Sequence, residues 1–172
     1  ESESRGLGDV YKRQPRIFYP FELEEKNSIN LDISSSHHLN VINIKLEQEV
    51  ELFNGKGDSF KAKVLEKNKK NISLEKISEI KSKKKQIPSI NIAVAEIKSF
   101  DKVVRESCQL GVNSINSLMT KRTKSSNLAG EKKIQRWKVI ASNSCEQCGL
   151  NWVPDIKSCL LYTSDAADDG LS

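Results

Sequence analysis

The chain has 172 residues, 30% of them charged, and a formal net charge of +5, which suits one ordinary domain or two small ones. Its longest apolar runs, such as Ile92–Ala95, are far too short to cross a bilayer. No charged-then-apolar leader opens the sequence. We therefore expect a cytoplasmic protein with no membrane partner.

Both ends differ in pattern from the rest of the chain. Residues 1–14 and 159–172 show neither helical nor strand periodicity. We interpret them as non-native, adapter-like tails, and the simpler alternative is a pair of disordered termini. On this interpretation the genuine protein begins near Pro15, is cut off near Ser158 and is an N-terminal fragment.

Charge is concentrated in the middle of the chain. Without residues 1–14 and 160–172, 25 basic residues face 17 acidic ones, a formal charge of +8. Such an excess fits a polyanionic partner, because each neutralised phosphate releases condensed counterions. Solvated surface explains the lysine runs Lys67–Lys70 and Lys81–Lys85 equally well.

Residues 15–78 have the pattern of a small β-barrel. The Asn-Gly-Lys-Gly sequence at 54–57 predicts a hairpin turn, because Asn and Gly tolerate the positive φ that such turns need. A short helix is expected at Ser36–Ile44, with Leu39, Ile42 and Val41 packing on the sheet. The predicted strands are Arg16–Tyr19, Glu49–Phe53, Ser59–Leu65 and Asn71–Glu75.

Residues 79–88 are predicted to be a Lys-rich linker that closes at Pro88, after which the pattern changes. Ile90–Ile97 is nearly continuously apolar, as in a strand covered on both faces. A helix from Ser99 to Gly111 and a strand at Ser114–Met119 follow. Strand, helix, strand predicts a right-handed crossover in a parallel sheet.

A second helix of this region carries an apolar stripe and ends at Gly149, and Pro154 prevents it from resuming. Its stripe consists of Ile134, Trp137, Ala141, Cys145 and Cys148. Two strands and two helices leave sheet edges unpaired, so residues 89–158 are expected to be an incomplete α/β domain.

The residues alone indicate no catalytic constellation. Cys145 and Cys148 form a lone C-x-x-C pair, without the second pair that a zinc site needs, at the end of a helix where the dipole does not favour a thiolate. His37 and His38 are neighbours in the predicted helix and point about 100° apart. We assign no metal ligand, although a small zinc or redox protein stays an alternative.

Three basic residues are candidates for contact with RNA. Arg16 opens the first strand, Lys98 follows the apolar strand, and Arg122 follows the next. Ligands of open α/β sheets gather at the carboxyl ends of the strands. For each residue taken singly, an exposed cation without a fixed partner explains the position equally well.

The chain resembles the ribosomal RNA small subunit methyltransferase E family in an ordered set of segments that spans nearly all of Pro15–Ile156. Singly each segment is weak, but the set, which ends in EQCG-N-VP-I, is quite specific. The segments are Arg16–Pro20 (RIFYP), His37–Val41 (HHLNV), Glu49–Gly57 (EVELFNGKG), Gln109–Val112 (QLGV), Leu118–Thr123 (LMTKRT), Arg136-Trp137 and Glu146–Ile156 (EQCGLNWVPDI).

This resemblance implies a PUA-like, RNA-binding β-barrel in residues 15–78, followed by the first half of a SPOUT α/β knot domain in residues 89–158. It further implies a homodimeric enzyme that uses S-adenosylmethionine to methylate N3 of a uridine in 16S rRNA. The cofactor-binding motifs of the family lie beyond Ile156, so no cofactor residue is assigned here. The fragment itself is expected to be inactive.

The chain departs from the family pattern at three positions where a charge is expected. Gln109 stands in place of Glu, and Leu150 and Asn43 each stand in place of Arg. Each change removes a charge that would meet phosphate or another side chain. A stand-alone RNA-binding module without catalysis is the alternative function.

Overall fold

The computed structural model describes residues 14–22, 27–119 and 130–160. These residues form two domains, a β-domain (residues 14–82) and an α/β-domain (residues 91–160). The β-domain contains β1 Arg16–Phe18, β2 Ser28–Asn30, α1 Ile33–Val41, β3 Glu49–Phe53, β4 Asp58–Lys67, β5 Ile72–Lys76 and β6 Lys81–Ser82. The α/β-domain contains β7 Asn91–Ala95, α2 Phe100–Gln109, β8 Ser114–Met119, α3 Glu131–Cys148 and β9 Asp155–Leu160.

The β-domain is built on one sheet with the strand order β1-β3-β4-β5-β2, and β6 pairs with β4. β1 runs parallel to β3, whereas β3, β4, β5 and β2 pair antiparallel. A register shift between Val64 and Glu66 marks a bulge in β4, the kind of irregularity that bends a strand. The sheet and α1 enclose a core that includes Ile17, Leu39, Val50, Leu52, Phe60, Val64, Ile72 and Leu74.

The predicted hairpin between β3 and β4 is confirmed. Asn54 shapes the turn, since its Oδ1 accepts the backbone N–H groups of Lys56 at 2.8 Å and Asp58 at 3.1 Å. Gly55 and Gly57 have φ values of 74° and 107°, a region that glycine enters without steric cost. The turn therefore projects a rigid loop from the β-domain.

The α/β-domain has a parallel sheet in the order β7-β8-β9, with Ile92 opposite Ile115 and Ile115 opposite Ile156. α2 and α3 pack side by side against this sheet. Their shared core includes Phe100, Val104, Cys108, Ile115, Trp137, Ala141, Cys145 and Ile156. The predicted order of a β part before a parallel α/β part is confirmed.

The predicted helix ends of the α/β-domain also hold. Gly149 is the C-cap of α3 with φ 74°, and Gly111, with φ 75°, follows the end of α2. Both glycines occupy the left-handed region that ends a helix. Pro154 is buried and β9 begins directly after it.

The predicted helix Ser36–Ile44 was misplaced. α1 begins at Ile33 because Asp32 caps it, its Oδ1 accepting the Ser35 N–H at 2.8 Å. Leu39 packs in the core as expected. Val41 and Ile42, however, are 70% and 46% exposed, so the predicted packing of these two side chains on the sheet is wrong.

Three strands of the structure were not predicted from the sequence, namely β2, β6 and β9. β6 lies inside the predicted linker, so residues 79–88 are in part sheet. β9 gives the α/β-domain a third strand where two were predicted, and its last two residues fall in the predicted tail. Each of these strands depends on pairing with a distant strand, which a local pattern does not reveal.

The prediction that Ile90–Ile97 is covered on both faces was also wrong. Ile92 and Val94 pack against the core of the α/β-domain, whereas Asn91 and Ala93 on the other side of β7 are exposed. Among the described residues, both helices cover the same face of the sheet. An apolar run thus forms a strand with one covered face.

Candidate functional site

The carboxyl end of β7 opens onto a pocket of about 230 Å³ between the start of α2 and the start of α3. Lys98, one of the predicted RNA contacts, lies at its rim and is exposed. This position agrees with the expectation that Lys98 follows the strand at the edge where ligands of open sheets gather. The pocket is lined by Glu96, Ile97, Lys98, Phe100, Asp101, Lys133, Arg136 and Trp137.

Two ionic pairs organise the walls of this pocket. The Lys133 ammonium lies 2.6 Å from Glu96 Oε1, and the Glu96 side chain is only 7% exposed. Asp101 pairs with Arg136 and also accepts the Trp137 indole N–H at 3.0 Å. The charged walls are therefore held in place from within the domain, and the Lys98 ammonium has no ion-pair partner among the described residues.

Of these wall residues, Arg136 and Trp137 belong to the segments that carry the resemblance, whereas Glu96, Asp101 and Lys133 were not singled out in the sequence. These three residues lie far apart in the chain, since Glu96 follows β7, Asp101 lies in α2 and Lys133 lies in α3. One signal was available. An indole N–H that is buried needs an acceptor, and Asp101 in the first turn of α2 supplies it.

Arg16 opens β1 as predicted, and its guanidinium group lies at the interface between the two domains. Its Nη1 and Nη2 donate to the Cys145 carbonyl at 3.3 Å and to Asn151 Oδ1 at 2.5 Å. Its Nε lies 3.0 Å from Glu51 Oε2, and only 11% of the side chain is exposed. Arg16 therefore ties the two domains together, and its role in RNA binding stays a prediction.

Asn151 is the centre of this domain interface. Only 2% of it is exposed, and its Nδ2 donates to Gly57 O at 3.2 Å and to Ser59 Oγ at 3.0 Å. In return, the Gly57 N–H donates to the Asn151 carbonyl at 3.0 Å. The segment EQCGLNWVPDI, which carries the most specific part of the resemblance, thus docks on the rigid hairpin loop of the β-domain.

Glu146 adds a second link across the interface, since its Oε1 accepts the backbone N–H of Phe18 at 2.8 Å. Burial raises the pKa of this carboxyl group above its ordinary value, and the Phe18 hydrogen bond opposes that effect only in part. Apolar packing accompanies these hydrogen bonds. Phe53 of β3 is fully buried within the core of the α/β-domain.

The two cysteines of the C-x-x-C pair differ in burial. Cys145 is buried and Cys148 is exposed, so the prediction that both lie on the apolar stripe holds for Cys145 alone. The neighbouring Cys145 and burial raise the pKa of the Cys108 thiol far above its ordinary range. The described part of the chain contains no cluster of three or more His, Cys, Asp or Glu side chains arranged to hold a metal ion.

His37 and His38 lie at a wider cleft of about 1000 Å³ between the β-domain and α3. Arg122, the third predicted RNA contact, lies outside the described residues. Within those residues, every helix falls short of the length or apolarity that crossing a bilayer requires.

The chain matches two domain families in succession. The RNA methyltransferase PUA domain family matches residues 19–77, and the RNA methyltransferase domain family matches residues 81–168. The first match ends just after β5, and the second begins at β6, the last strand of the β-domain, and includes the whole described α/β-domain. These matches confirm the predicted PUA-like domain followed by a SPOUT methyltransferase fold.

Among curated proteins, the ribosomal RNA small subunit methyltransferase E of Buchnera aphidicola from Schizaphis graminum is 30% identical over 158 residues, 86% of this chain and 62% of the relative. The enzyme of the same name from Mesomycoplasma hyopneumoniae is 26% identical over 148 residues, 84% of this chain and 63% of the relative. The chain thus spans about three fifths of the length of the curated relatives it matches.

Solved structures agree with this assignment. A methyltransferase of Legionella pneumophila with bound S-adenosylmethionine superposes with a TM-score of 0.74 at 25% identity, covering 86% of this chain and 64% of that one. The Neisseria gonorrhoeae small subunit methyltransferase E, also with S-adenosylmethionine, gives the same TM-score at 24% identity and shows the shared fold, covering 86% of this chain and 62% of that one. With two family domains in order and these relatives, the chain belongs to the ribosomal RNA small subunit methyltransferase E family.

Proposed function

We propose that the protein represented by this chain transfers a methyl group from S-adenosylmethionine to N3 of a uridine in the 16S rRNA of the small ribosomal subunit. The observation that carries this proposal is the pair of successive family matches, an RNA methyltransferase PUA domain before an RNA methyltransferase domain. The relatives that are named as ribosomal RNA methyltransferases, and the related structures with bound cofactor, support it.

The two domains have separate tasks in this proposal. The β-domain holds RNA, and the carboxyl edge of the β7–β9 sheet faces the reacting nucleotide. Lys98 at the pocket rim and Arg122 are proposed RNA contacts. Arg16 supports the same task indirectly, because its guanidinium fixes the β-domain against Cys145 and Asn151.

The proposed reaction requires stabilisation of a negative charge on the uracil ring and access to the N3 atom. Uracil N3 must lose its proton to become a nucleophile, and a cation near O2 or O4 stabilises the resulting anion. A stacked or paired uridine must also be turned outward before it reaches the donor. Lys98 is suited to the electrostatic role because its ammonium is exposed and unpaired among the described residues.

The pocket at Lys98 does not by itself fit the cofactor. Its volume of about 230 Å³ is below the range of roughly 300–1,000 Å³ that is typical of small-molecule sites. Its carboxylates are already paired with Lys133 and Arg136. We therefore assign no cofactor-binding residue, and we expect the 172-residue chain alone to bind no S-adenosylmethionine that calorimetry detects.

We further propose that the full-length protein is a cytoplasmic homodimer, as the family resemblance implies. Sedimentation of a full-length protein tests the dimer. A monomer at micromolar concentration with full activity would contradict it.

A chimera tests the activity. Residues 15–160 of this chain replace the matching part of the Buchnera relative, which supplies the remaining two fifths of the family length. We expect the folded chimera to form N3-methyluridine in unmodified small subunits, as detected by mass spectrometry of nucleosides. The intact relative is the positive control and this chain alone the negative one. A folded chimera that binds the cofactor but methylates another atom, or none, contradicts the proposal.

A further inference from the structure

The lysines of residues 81–85 differ from those of the neighbouring strand. On β4, Lys61 pairs with Glu49 at 3.5 Å, and Lys63 lies 3.2 Å from both Glu47 and Glu75. Lys81, Lys83, Lys84 and Lys85 are exposed, and no carboxylate of the described residues forms an ion pair with them. We call residues 81–85 the basic strap.

The backbone of the basic strap is fixed on the β-domain. Lys81 and Ser82 pair with Ser59 and Asp58 of β4, and Ser82 Oγ donates to Asp58 Oδ1 at 2.5 Å. The Lys83 N–H then donates to Gly57 O at 2.9 Å. A run of this composition is usually a solvated segment without a fixed shape. Here it is held on the sheet.

The α/β-domain completes the anchorage through Trp152. The Trp152 indole N–H donates to the Lys83 carbonyl at 2.8 Å, and the Lys85 ammonium lies 5.4 Å from the centroid of the Trp152 ring. A cation at this distance from an indole face is attracted to it. The basic strap therefore runs along the junction of both domains, and all four of its lysines are exposed there.

Resting on the proposed function, we infer that the basic strap is a binding site for the phosphate backbone of the RNA substrate. Unpaired cations on a fixed backbone bind a polyanion without first breaking ion pairs or ordering the chain. The paired lysines of β4 lack this advantage. The inference concerns only one of the two lysine runs in the chain. Among the described residues, the run at residues 67–70 has no contact like the hydrogen bond from Trp152 that anchors the basic strap to the α/β-domain.

The test measures binding of the full chain to a short labelled segment of 16S rRNA by fluorescence anisotropy at several salt concentrations. The variant carries Lys81→Gln, Lys83→Gln and Lys84→Gln, and it leaves Lys85 in place over Trp152. The matched control carries Lys45→Gln, Lys69→Gln and Lys70→Gln. These three lysines are also exposed, so both variants lose the same charge. Far-UV circular dichroism confirms that each protein is folded.

We expect the strap variant to bind at least about tenfold more weakly near 0.1 M salt, with a salt slope smaller by about 2, or ~0.7 for each lost single-strand phosphate contact. The control should change by less than about threefold. A variant with Arg at the same three positions keeps the charge and should bind like the original chain. Equal losses in strap variant and control would overturn the inference, because net charge alone would then explain binding.

Two other outcomes are distinguishable. If the original chain binds no RNA at any salt, the RNA-directed function itself fails together with the inference. If RNA binding is unchanged in the strap variant but binding to vesicles of phosphatidylserine and phosphatidylcholine is lost, the basic strap serves a membrane surface and the inference is wrong.

Discussion

Asn151 and Gly57 are joined by reciprocal hydrogen bonds across the domain boundary, although they lie 94 positions apart in the chain. The Asn151 amide donates to the Gly57 carbonyl, and the Gly57 N–H donates to the Asn151 carbonyl. The buried Asn151 thus hydrogen-bonds to the backbone of a turn in the other domain. We expect this contact to determine how firmly the domains hold together.

Replacing Asn151 by Ala should lower the free energy of unfolding by about 2–4 kcal/mol, because buried groups on Gly57, Ser59 and Arg16 lose their partner. Urea unfolding followed by fluorescence measures the change. Asn143→Ala on the exposed side of α3 is the matched control and should change stability by less than about 0.5 kcal/mol. Similar values for both variants would show that the interface contributes little.

Gly57→Ala should also destabilise the protein, by at least about 2 kcal/mol, through backbone strain and a clash. The residue has φ +107°, and an added Cβ would lie 2.6 Å from Trp152 Cζ2 and 2.7 Å from the Lys83 carbonyl oxygen. Gly130→Ala is the control, since nothing lies within 4 Å of an added Cβ there. Thermal unfolding of the two variants provides the measurement, and a Gly57→Ala protein as stable as the Gly130→Ala protein would contradict the expectation.

Glu146 should make stability fall as the pH rises. Because burial raises its pKa in the folded state, the folded protein retains the proton longer than the unfolded chain does. The contribution of protonated Glu146 to the free energy of unfolding is therefore fully present below the ordinary pKa of a glutamic acid. It is lost as the pH rises through the higher pKa of the folded state. Glu146→Gln keeps an oxygen that accepts the Phe18 N–H and should remove this pH dependence.

The pH experiment compares urea unfolding of the original chain and the Glu146→Gln variant from pH 4 to pH 8. The variant should gain stability relative to the original chain as the pH rises. Glu66→Gln, at an exposed position of β4, is the control for a simple loss of negative charge. A relative gain that is constant with pH, or that shrinks, would count against a raised pKa.

Thiol labelling should separate the three described cysteines. In a Cys159→Ser background, Cys148 should react rapidly with a water-soluble reagent, because it is exposed. Cys108 and Cys145 are buried, and the raised pKa of Cys108 further reduces its thiolate fraction. One fast thiol per folded chain is the expected count, and Cys148→Ser should abolish it. Two fast thiols, or stoichiometric zinc in the purified protein, would contradict this expectation and support the alternative of a zinc or redox site at Cys145 and Cys148.

Local chemistry explains what the sequence could predict. The β3–β4 hairpin follows from Asn54, Gly55 and Gly57, and the end of α3 follows from Gly149, because each signal acts over a few residues. The start of α1 was misplaced because a local signal, the cap at Asp32, was overlooked. Asp32 is a good N-cap, but the apolar pattern that defined the predicted helix begins after it.

Long-range pairing explains what was missed. Arg16 looked like a free cation at the start of a strand, whereas its partners Cys145 and Asn151 lie 129 and 135 positions away. β9 needs β8 as a neighbour, and Glu96 needs Lys133. The resemblance marked Glu146–Ile156 as informative, and the structure supplies the reason, since this segment builds the interface.

The anchorage of the basic strap has a geometric consequence. Hydrogen bonds to Gly57 on one domain and from Trp152 on the other leave the connection between the domains little freedom to lengthen or bend. The separation between the basic strap and the Lys98 edge is accordingly restrained by contacts with both domains. In the proposed RNA complex, phosphates that meet both places would have to match one span, so the proposal implies selection of the substrate by its shape before any base is contacted.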